Sequence, residues 1–326
     1  MARFNVIMTA PRLAAPAVAV LEQAGCAIHY TAPYPSGVVL GELAARVQAD
    51  AILSRQGQVN ETAIAGSPRL RIVARHGVGV DEVDLAAARA HGVIVTNAPG
   101  SNSRAVAEHT LAAILALAKR LKPFGLAVAA GEWRAAGASG RDIAGLRLGL
   151  IGFGAIGQAV AALARPFGMR VGVFTRSPVP EMPDVWQADS LPALAAESDV
   201  LSAHCPLTEA TRNCVDAAVL AAMPAGGFVV NTARGGIVDE AALLAALESG
   251  HIEGAALDVF ATEPPPTDEK LLTHPRVLVT PHVSGVTPDS LTQMGVMAAE
   301  CIAAALTGGV IPPGRIVVPR GVVPAS

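Results

Sequence analysis

Aromatic residues are scarce, with Phe, Trp and Tyr together making up 3% of the 326 residues. No basic run is interleaved with aromatic side chains, the formal net charge is −3 and the pI is near 6.2. A nucleic-acid partner is therefore not expected. Charged residues are also few, at 16%, against 52% hydrophobic. Ala, Val, Leu and Ile must fill a sizeable core without much help from rings. Only four cysteines occur, Cys26, Cys205, Cys214 and Cys301, and none forms a C-x-x-C pair. A secreted disulfide framework would be denser, so a reducing, cytoplasmic setting is expected. The histidines include no H-E-x-x-H, and no metal site is expected. The longest uncharged apolar stretch, Leu148 to Ala164, is short for a membrane span and contains several glycines, so no membrane is expected. Arg3, an apolar stretch and Ala24-Gly25-Cys26 give the N-terminus a superficial likeness to a lipoprotein signal. Glu22 and Gln23 stand where the apolar run should continue, and Pro11 and Pro16 punctuate it, so no signal is expected. There is no internal repeat and no low-complexity linker.

At roughly 100–200 residues per domain, the length implies two domains. In the first third, short apolar runs alternate with helical stretches. Strand candidates are Phe4 to Met8, Ala27 to Tyr30, Ala51 to Leu53, Leu70 to Ala74 and Val93 to Val95, with helices over Ala14 to Ala24 and Leu85 to His91. Short apolar runs between helices argue for a buried parallel sheet. After the turn cluster Asn97 to Gly100, Asn102 or Ser103 can cap a helix with body Ala105 to Leu121, ending at basic residues before Pro123. A second α/β unit then runs from Leu146. Its strand candidates are Leu148 to Gly152, Arg170 to Phe174, Val200 to His204, Phe228 to Asn231, Gly254 to Asp258 and Arg276 to Thr280. Thr287 and Pro288 start a last helix that stops at Gly308-Gly309, before an extended tail from Pro312. Two α/β units without a linker imply apposed domains with a cleft.

The strand at Leu148 leads into Gly152-Phe153-Gly154-Ala155-Ile156-Gly157 and then a helix. In such a turn the first glycine permits the tight bend, the second lets backbone approach a pyrophosphate, and the third lets helix and strand pack closely. The helix N-terminus offers free N–H groups and the positive end of its dipole to phosphates. A lone G-x-G-x-x-G is weak, but its place between strand and helix makes it a dinucleotide site. The acid that reads the ribose 2′-OH of NAD should follow about 20 residues later. Instead the next strand ends Thr175-Arg176-Ser177, with no Asp or Glu at its tip. Arg176 would pair with a 2′-phosphate, and Thr175 and Ser177 could hydrogen-bond it. NADP is therefore favoured over NAD, the alternative being a solvated arginine beside a permissive NAD site.

Three further segments follow apolar strands: Asn231 to Glu240, containing Arg234-Gly235; Leu257 to Pro264, containing Glu263-Pro264; and Thr280 to Gly285, containing Pro281-His282. Ligands gather at the carboxyl ends of strands in open α/β sheets, so Arg234, Glu263 and His282 are the candidate catalytic set. In that order and spacing, these segments resemble the D-isomer-specific 2-hydroxyacid dehydrogenase family, which includes phosphoglycerate, hydroxypyruvate/glyoxylate and formate enzymes. The resemblance is clearest from Arg75 to Gly285.

The resemblance implies an α/β fold of two Rossmann-like doubly wound domains: a discontinuous substrate domain at 1–100 and 286–326, and an NAD(P)-binding domain at 101–285. It implies a dehydrogenase moving hydride between NAD(P)H and a small 2-keto or 2-hydroxy acid. Arg234 would bind the substrate carboxylate or carbonyl, His282 would be the general acid–base, and Glu263 would hold the imidazole and stabilise its charged form. Substrate would also meet the backbone of Val78 and Gly79 in Arg75-His76-Gly77-Val78-Gly79-Val80-Asp81. Arg75 would reach a phosphate on the substrate or else form an ion pair with Asp81 or Asp84. Besides Gly152, Gly154, Ala155, Ile156 and Gly157, the implied cofactor contacts are Cys205, Pro206, Thr211, Thr232, Ala233, Asp258 and Gly285. Asp258 would accept from the nicotinamide carboxamide, and Thr110 is a further candidate beside the ring. His109 and His204 are expected on the cofactor side or as structural groups, and Cys205 as a small buried hydrophobe.

The helix from Ala105 lies where the family forms its homodimer, so a dimer is expected. With the sequence running to Ser326, no regulatory domain like that of longer phosphoglycerate dehydrogenases is expected. Hydroxypyruvate or glyoxylate therefore leads, phosphoglycerate is second, and an unusual acid stays open. A nucleotide-sensing protein of the same fold, as in related transcriptional corepressors, is the rival. A methyltransferase is the other, but it has no use for the Arg-Glu-His set.

Overall fold

The computed structural model describes residues 3–133, 139–179 and 182–319. Two compact units result, one of residues 1–102 with 286–326 and the other of residues 103–285.

The first unit is a sheet with helices on its faces. In chain order it comprises β1 (Phe4–Met8), α1 (Ala15–Gln23), β2 (Cys26–Tyr30), α2 (Gly37–Val47), β3 (Ala51–Ser54), α3 (Glu61–Ala65), β4 (Ile72–Arg75), α4 (Leu85–Ala90) and β5 (Ile94–Thr96). The chain leaves after β5 for the second unit. The second unit supplies α5 (Ser103–Ala118), α6 (Leu121–Ala129), β6 (Arg147–Ile151), α7 (Ala155–Ala164), β7 (Arg170–Phe174), β8 (Val185–Gln187), α8 (Leu191–Ala196) and β9 (Val200–Ala203). It continues through α9 (Ala217–Ala222), β10 (Gly227–Asn231), α10 (Glu240–Glu248), β11 (Ile252–Leu257), α11 (Lys270–Thr273) and β12 (Val277–Val279). The first unit is then completed by α12 (Pro288–Thr307) and β13 (Ile316–Val318).

The first sheet has the order β13-β5-β4-β3-β1-β2, parallel except for β13, which runs antiparallel to β5 at the edge. Ile7 and Ile52 pack under α2 and α3 on one face, and Val6, Met8 and Leu53 pack under α1 and α12 on the other. Strands buried on both faces need apolar residues at every position, which explains the unbroken runs in the sequence. α12 is the one described helix long and apolar enough to cross a membrane, but it lies against α1, β3 and β4. Its start is a capping box, in which Thr287 Oγ1 accepts from Ser290 N–H and Ser290 Oγ accepts from Thr287 N–H, with Pro288 in the first turn.

The second sheet is wholly parallel, with order β12-β11-β10-β9-β6-β7-β8. The direction in which successive strands are added reverses between β6 and β9, the switch point outside which an open sheet binds ligands. The stretch Leu148 to Ala164 is therefore a strand, a turn and a helix.

Several expected elements differ. The helix expected over Ala105 to Leu121 is two helices, because Arg120 turns left-handed at φ 51° and α6 starts afresh at Leu121. Pro123 does not stop it: proline in the first turn of a helix has no N–H that the helix needs. Neither Asn102 nor Ser103 caps α5, since Asn102 Oδ1 and Ser103 Oγ are both buried without a hydrogen-bond partner among the described residues. The tail from Pro312 is not simply extended, since a 3₁₀ turn at Pro313–Arg315 precedes β13; residues 320–326 of that tail lie outside the described residues.

Candidate active site

The glycine turn follows β6. Gly152 has φ 97°, and a Cβ there would meet the carbonyl oxygen of His204 at 2.7 Å, so backbone of the two switch-point loops touches. A Cβ on Gly157 would stand 2.5 Å from the carbonyl oxygen of Gly152. A Cβ on Gly154 would meet no protein atom within 4 Å. Gly154 is the N-cap of α7 and provides no side chain to cap it. The first N–H groups of α7, at Ala155, Ile156 and Gly157, thus lack intrahelical acceptors and lie beside an exposed glycine. That arrangement fits a dinucleotide pyrophosphate, held by dipole and N–H groups.

Beyond β7, Thr175 is half-buried and Arg176 and Ser177 are exposed. Among the described residues the Arg176 guanidinium has no hydrogen bond or ion pair. On the other side of the switch point, His204 donates or accepts at Nε2 with Ser202 Oγ, 2.9 Å away. Burial pushes His204 down to about 3, which leaves it neutral. Burial, with Cys214 nearby, pushes the Cys205 thiol up to about 12, so it is not a thiolate near neutrality. Thr211 holds the same loop: its hydroxyl accepts from Thr208 N–H at 2.7 Å and donates to the Pro206 carbonyl at 2.7 Å.

The candidate acid–base pair is formed. His282 Nδ1 and Glu263 Oε2 are 2.7 Å apart. The other Glu263 oxygen accepts from Phe260 N–H at 3.1 Å, which fixes the carboxylate plane. The Glu263 bond raises His282 above its ordinary range; burial and the Arg234 charge oppose, and the Asp258 charge assists. Burial pushes Glu263 up, but the His282 ring and Phe260 N–H outweigh it, and its net shift is downward. Both shifts favour imidazolium beside carboxylate, and His282 Nε2 makes no hydrogen bond among the described residues. Arg234 follows β10 in the same unit, and its Nη1 donates to the Ala233 carbonyl at 2.7 Å. Gly235 is required beside it: a Cβ there would fall 1.7 Å from the carbonyl oxygen of Phe260.

His282 sits at φ 53°, a region costly for a side chain with a Cβ. Asp258 at the end of β11 holds it there. The Asp258 carbonyl accepts from His282 N–H at 2.8 Å, and its carboxylate accepts from Val283 N–H at 2.9 Å, Ser284 N–H at 2.8 Å and the Thr280 hydroxyl. Asp258 is 2% exposed. Most of its acceptor capacity thus goes to shaping the 280–284 loop, leaving at most one site for a ligand donor. Because the Thr280 proton is directed at Asp258, His109 Nε2, 3.3 Å from Thr280 Oγ1, must be the donor in that contact. By the same logic Thr110, which donates to the Val106 carbonyl, accepts from Thr232 at 3.0 Å.

In the first unit, Arg75 is committed to its own loop. Nε donates to the Gly79 carbonyl at 2.9 Å, Nη1 to the Ser54 and Arg55 carbonyls at 3.0 and 2.7 Å, and Nη2 pairs with Glu82 at 2.9 Å. Glu82 is thus an ion-pair partner of Arg75 beside the expected Asp81 and Asp84, and donors expected for a substrate phosphate are already engaged. Asn97 Nδ2 donates to the Val78 carbonyl at 2.8 Å and Ala98 N–H to the Gly77 carbonyl at 2.8 Å. Three successive carbonyls are pinned by protein. The N–H groups of Val78 and Gly79 have no acceptor among the described residues, as an anion nest requires.

Sequence reasoning missed Thr280, Asn97 and Glu82, which act on site residues through short contacts. It also missed Glu240, whose Oε1 accepts from Ala261 N–H at 2.6 Å and so steadies the loop carrying Glu263. In the sequence Glu240 only closes the Asn231 to Glu240 segment; its burial, which raises its carboxyl, comes with the 261 loop folding over it.

Residues 111–284 match the model of the D-isomer specific 2-hydroxyacid dehydrogenase, NAD binding domain. The chain is 41% identical over 273 residues to the D-3-phosphoglycerate dehydrogenase of Mycobacterium leprae (strain TN), covering 83% of this chain and 52% of that protein. It thus spans about half the length of the curated relatives it matches. Among solved structures, a Thermus thermophilus protein shares 36% identity with a TM-score of 0.87 over 97% of this chain and 100% of its own. The NAD-dependent formate dehydrogenase of Staphylococcus aureus, in complex with NAD, shares 28% identity with a TM-score of 0.84 over 98% of this chain and 100% of its own. With more than half its length matched by the family model and its ordered Arg-Glu-His segments in place, the chain belongs to the D-isomer specific 2-hydroxyacid dehydrogenase family.

Proposed function

We propose that this chain is an NAD(P)-dependent oxidoreductase that interconverts a small 2-keto acid and its D-2-hydroxy acid. The observation that carries this proposal is the His282–Glu263 contact of 2.7 Å in the same unit as Arg234 and the glycine turn. When bound, the nicotinamide supplies or takes the hydride at the substrate carbon. The protein manages everything else. Arg234 binds the substrate's carboxylate or carbonyl oxygen as a fork on an oxyanion pair. His282 Nε2 gives its proton to the carbonyl oxygen as that oxygen gains charge, and takes it back in oxidation. Glu263 keeps Nδ1 protonated and holds the ring in the productive rotamer. In the first unit, the Val78 and Gly79 N–H groups receive a carboxylate, and Arg75 is a positioning residue for that nest.

Phosphohydroxypyruvate, the keto acid of 3-phosphoglycerate, now stands ahead of hydroxypyruvate and glyoxylate as the proposed substrate. The names and identities of the curated relatives support that order. For the cofactor, the proposal is that NADP is accepted and preferred, supported by Arg176, whose guanidinium makes no hydrogen bond or ion pair among the described residues, and by the absence of an acid at the tip of β7. A homodimer is proposed on the apolar exposure of α6, in which no residue is buried and Leu121, Leu126 and Val128 are 61%, 57% and 52% exposed. Sedimentation showing only monomer at micromolar concentration would remove the dimer. A reducing, cytoplasmic setting is proposed on the small number of cysteines and the lack of a C-x-x-C pair.

The functional test is NADH and NADPH oxidation with 3-phosphohydroxypyruvate, hydroxypyruvate, glyoxylate and pyruvate, beside Arg234→Ala. Turnover with at least one acid that falls by about 10–100-fold in the variant is expected, the range for losing a charge-assisted hydrogen bond. Nucleotide binding without turnover of any acid would favour a sensing role instead.

A further inference from the structure

The turn after β7 is shaped by a side chain from outside it. β8 is the edge strand of the second sheet, paired with β7 so that Gln187 lies opposite Val173. From there the Gln187 amide spans the turn. Its Oε1 accepts from Val179 N–H at 3.0 Å, and its Nε2 donates to the carbonyls of Thr175 and Ser177 at 3.1 and 3.2 Å. Two carbonyls and one N–H admit a single orientation of the amide, so the assignment of oxygen and nitrogen is forced. One side chain thus makes three hydrogen bonds to the backbone of the turn.

We propose that Gln187 is a positioning residue for cofactor choice. It fixes the backbone on both sides of Arg176, so that the guanidinium and the hydroxyls of Thr175 and Ser177 are set in advance for a 2′-phosphate. The inference rests on the proposal that Arg176 meets that phosphate. Two physical effects support it. First, the carbonyls of Thr175 and Ser177 are engaged by the Gln187 amide, so these negative dipole ends are not free to turn toward a dianion. Second, anchoring residues 175, 177 and 179 to one point removes backbone freedom that binding would otherwise have to freeze. A neutral amide is needed. A carboxylate at position 187 could still accept from Val179, but it would face two carbonyl oxygens with no proton to offer and would compete with the phosphate for Arg176.

The experiment uses the full chain and four proteins: wild type, Arg176→Ala, Gln187→Leu and Gln187→Glu. Calorimetry with 2′,5′-ADP and 5′-AMP reads the 2′-phosphate contribution without turnover. Steady-state kinetics with NADPH and NADH at a fixed keto acid then separate KM from kcat. The expected result is tighter binding of 2′,5′-ADP than of 5′-AMP by wild type, and loss of that discrimination in Arg176→Ala. Gln187→Leu loses roughly tenfold of it, the loss appearing in KM for NADPH rather than in kcat, because ordinary hydrogen bonds are at stake. Gln187→Glu loses more. Wild-type discrimination in both Gln187 variants, with loss in Arg176→Ala, would overturn the role of Gln187 and leave that of Arg176. Wild-type discrimination in Arg176→Ala, or none in wild type, would overturn the Arg176 proposal and this inference with it.

Discussion

Two histidines follow parallel strands of the same sheet, and their surroundings set them to opposite tasks. His204 follows β9, shares one hydrogen bond with Ser202, and leaves Nδ1 buried without a partner. No carboxylate acts on it, and burial alone drives it down to about 3. His282 follows β12 with its side chain 47% exposed, and Glu263 raises it. A histidine becomes a proton donor near neutrality through a partnered carboxylate rather than through its place at a strand end. The two also differ in backbone: His282 is held at positive φ by four hydrogen bonds to Asp258 from residues 280–284, whereas His204 continues from its strand in register.

The largest expected effect breaks the comparison outright. His282→Ala should lower kcat for keto acid reduction by about 10²–10⁴-fold, the usual worth of a general acid, while His204→Asn stays within about tenfold of wild type. Equal losses in the two variants, measured by stopped-flow absorbance of the reduced nicotinamide, would erase the distinction.

Asp258→Asn comes next. An amide nitrogen would face an N–H donor in the 280–284 loop and leave one buried group unpaired, costing about 1–3 kcal/mol. Thermal denaturation should show that loss of stability, and kcat should fall with KM for the keto acid nearly unchanged. An unaltered kcat would mean that the strained backbone at His282 does not depend on Asp258.

A comparable but pH-limited effect concerns a histidine that no carboxylate rescues. Burial, with the Arg55 charge, drives His76 from 6.5 to about 4, so the unfolded chain binds this proton more readily than the folded one. The stability it contributes is fully present above about pH 6.5, falls as pH drops through the window between 6.5 and 4, and levels off below. The loss is on the order of 3 kcal/mol. Urea unfolding across that window should show it, and His76→Asn should flatten the slope; an unchanged slope would assign the acid sensitivity elsewhere.

Much of this was legible in sequence wherever a strand, a turn and a helix each left a mark in the same place. Gly152 to Gly157 announces itself because backbone clearance demands glycine, and the parallel strands announce themselves because burial on both faces demands unbroken apolar runs. Contacts made across the fold left no such mark. Nothing near Arg75 in sequence singles out Glu82 as a partner; the pair forms only when the loop after β4 folds back on itself. Arg120 could not be read as a helix breaker, since a left-handed arginine is an outcome of packing rather than of propensity. Gln187 is inconspicuous in a short edge strand until the turn after β7 folds against it.

The most direct test of the His282–Glu263 pair is the pH dependence of kcat/KM for keto acid reduction in wild type and Glu263→Gln. Reduction needs the imidazolium, so activity should hold at low pH and fall as pH rises through the pKa of His282. With the carboxylate in place that midpoint should lie above the ordinary histidine value. In Glu263→Gln it should move to lower pH, and reduction near neutrality should weaken. The same midpoint in both proteins would show that Glu263 does not set the proton affinity of His282, and a wild-type profile without that fall would remove His282 as the proton donor.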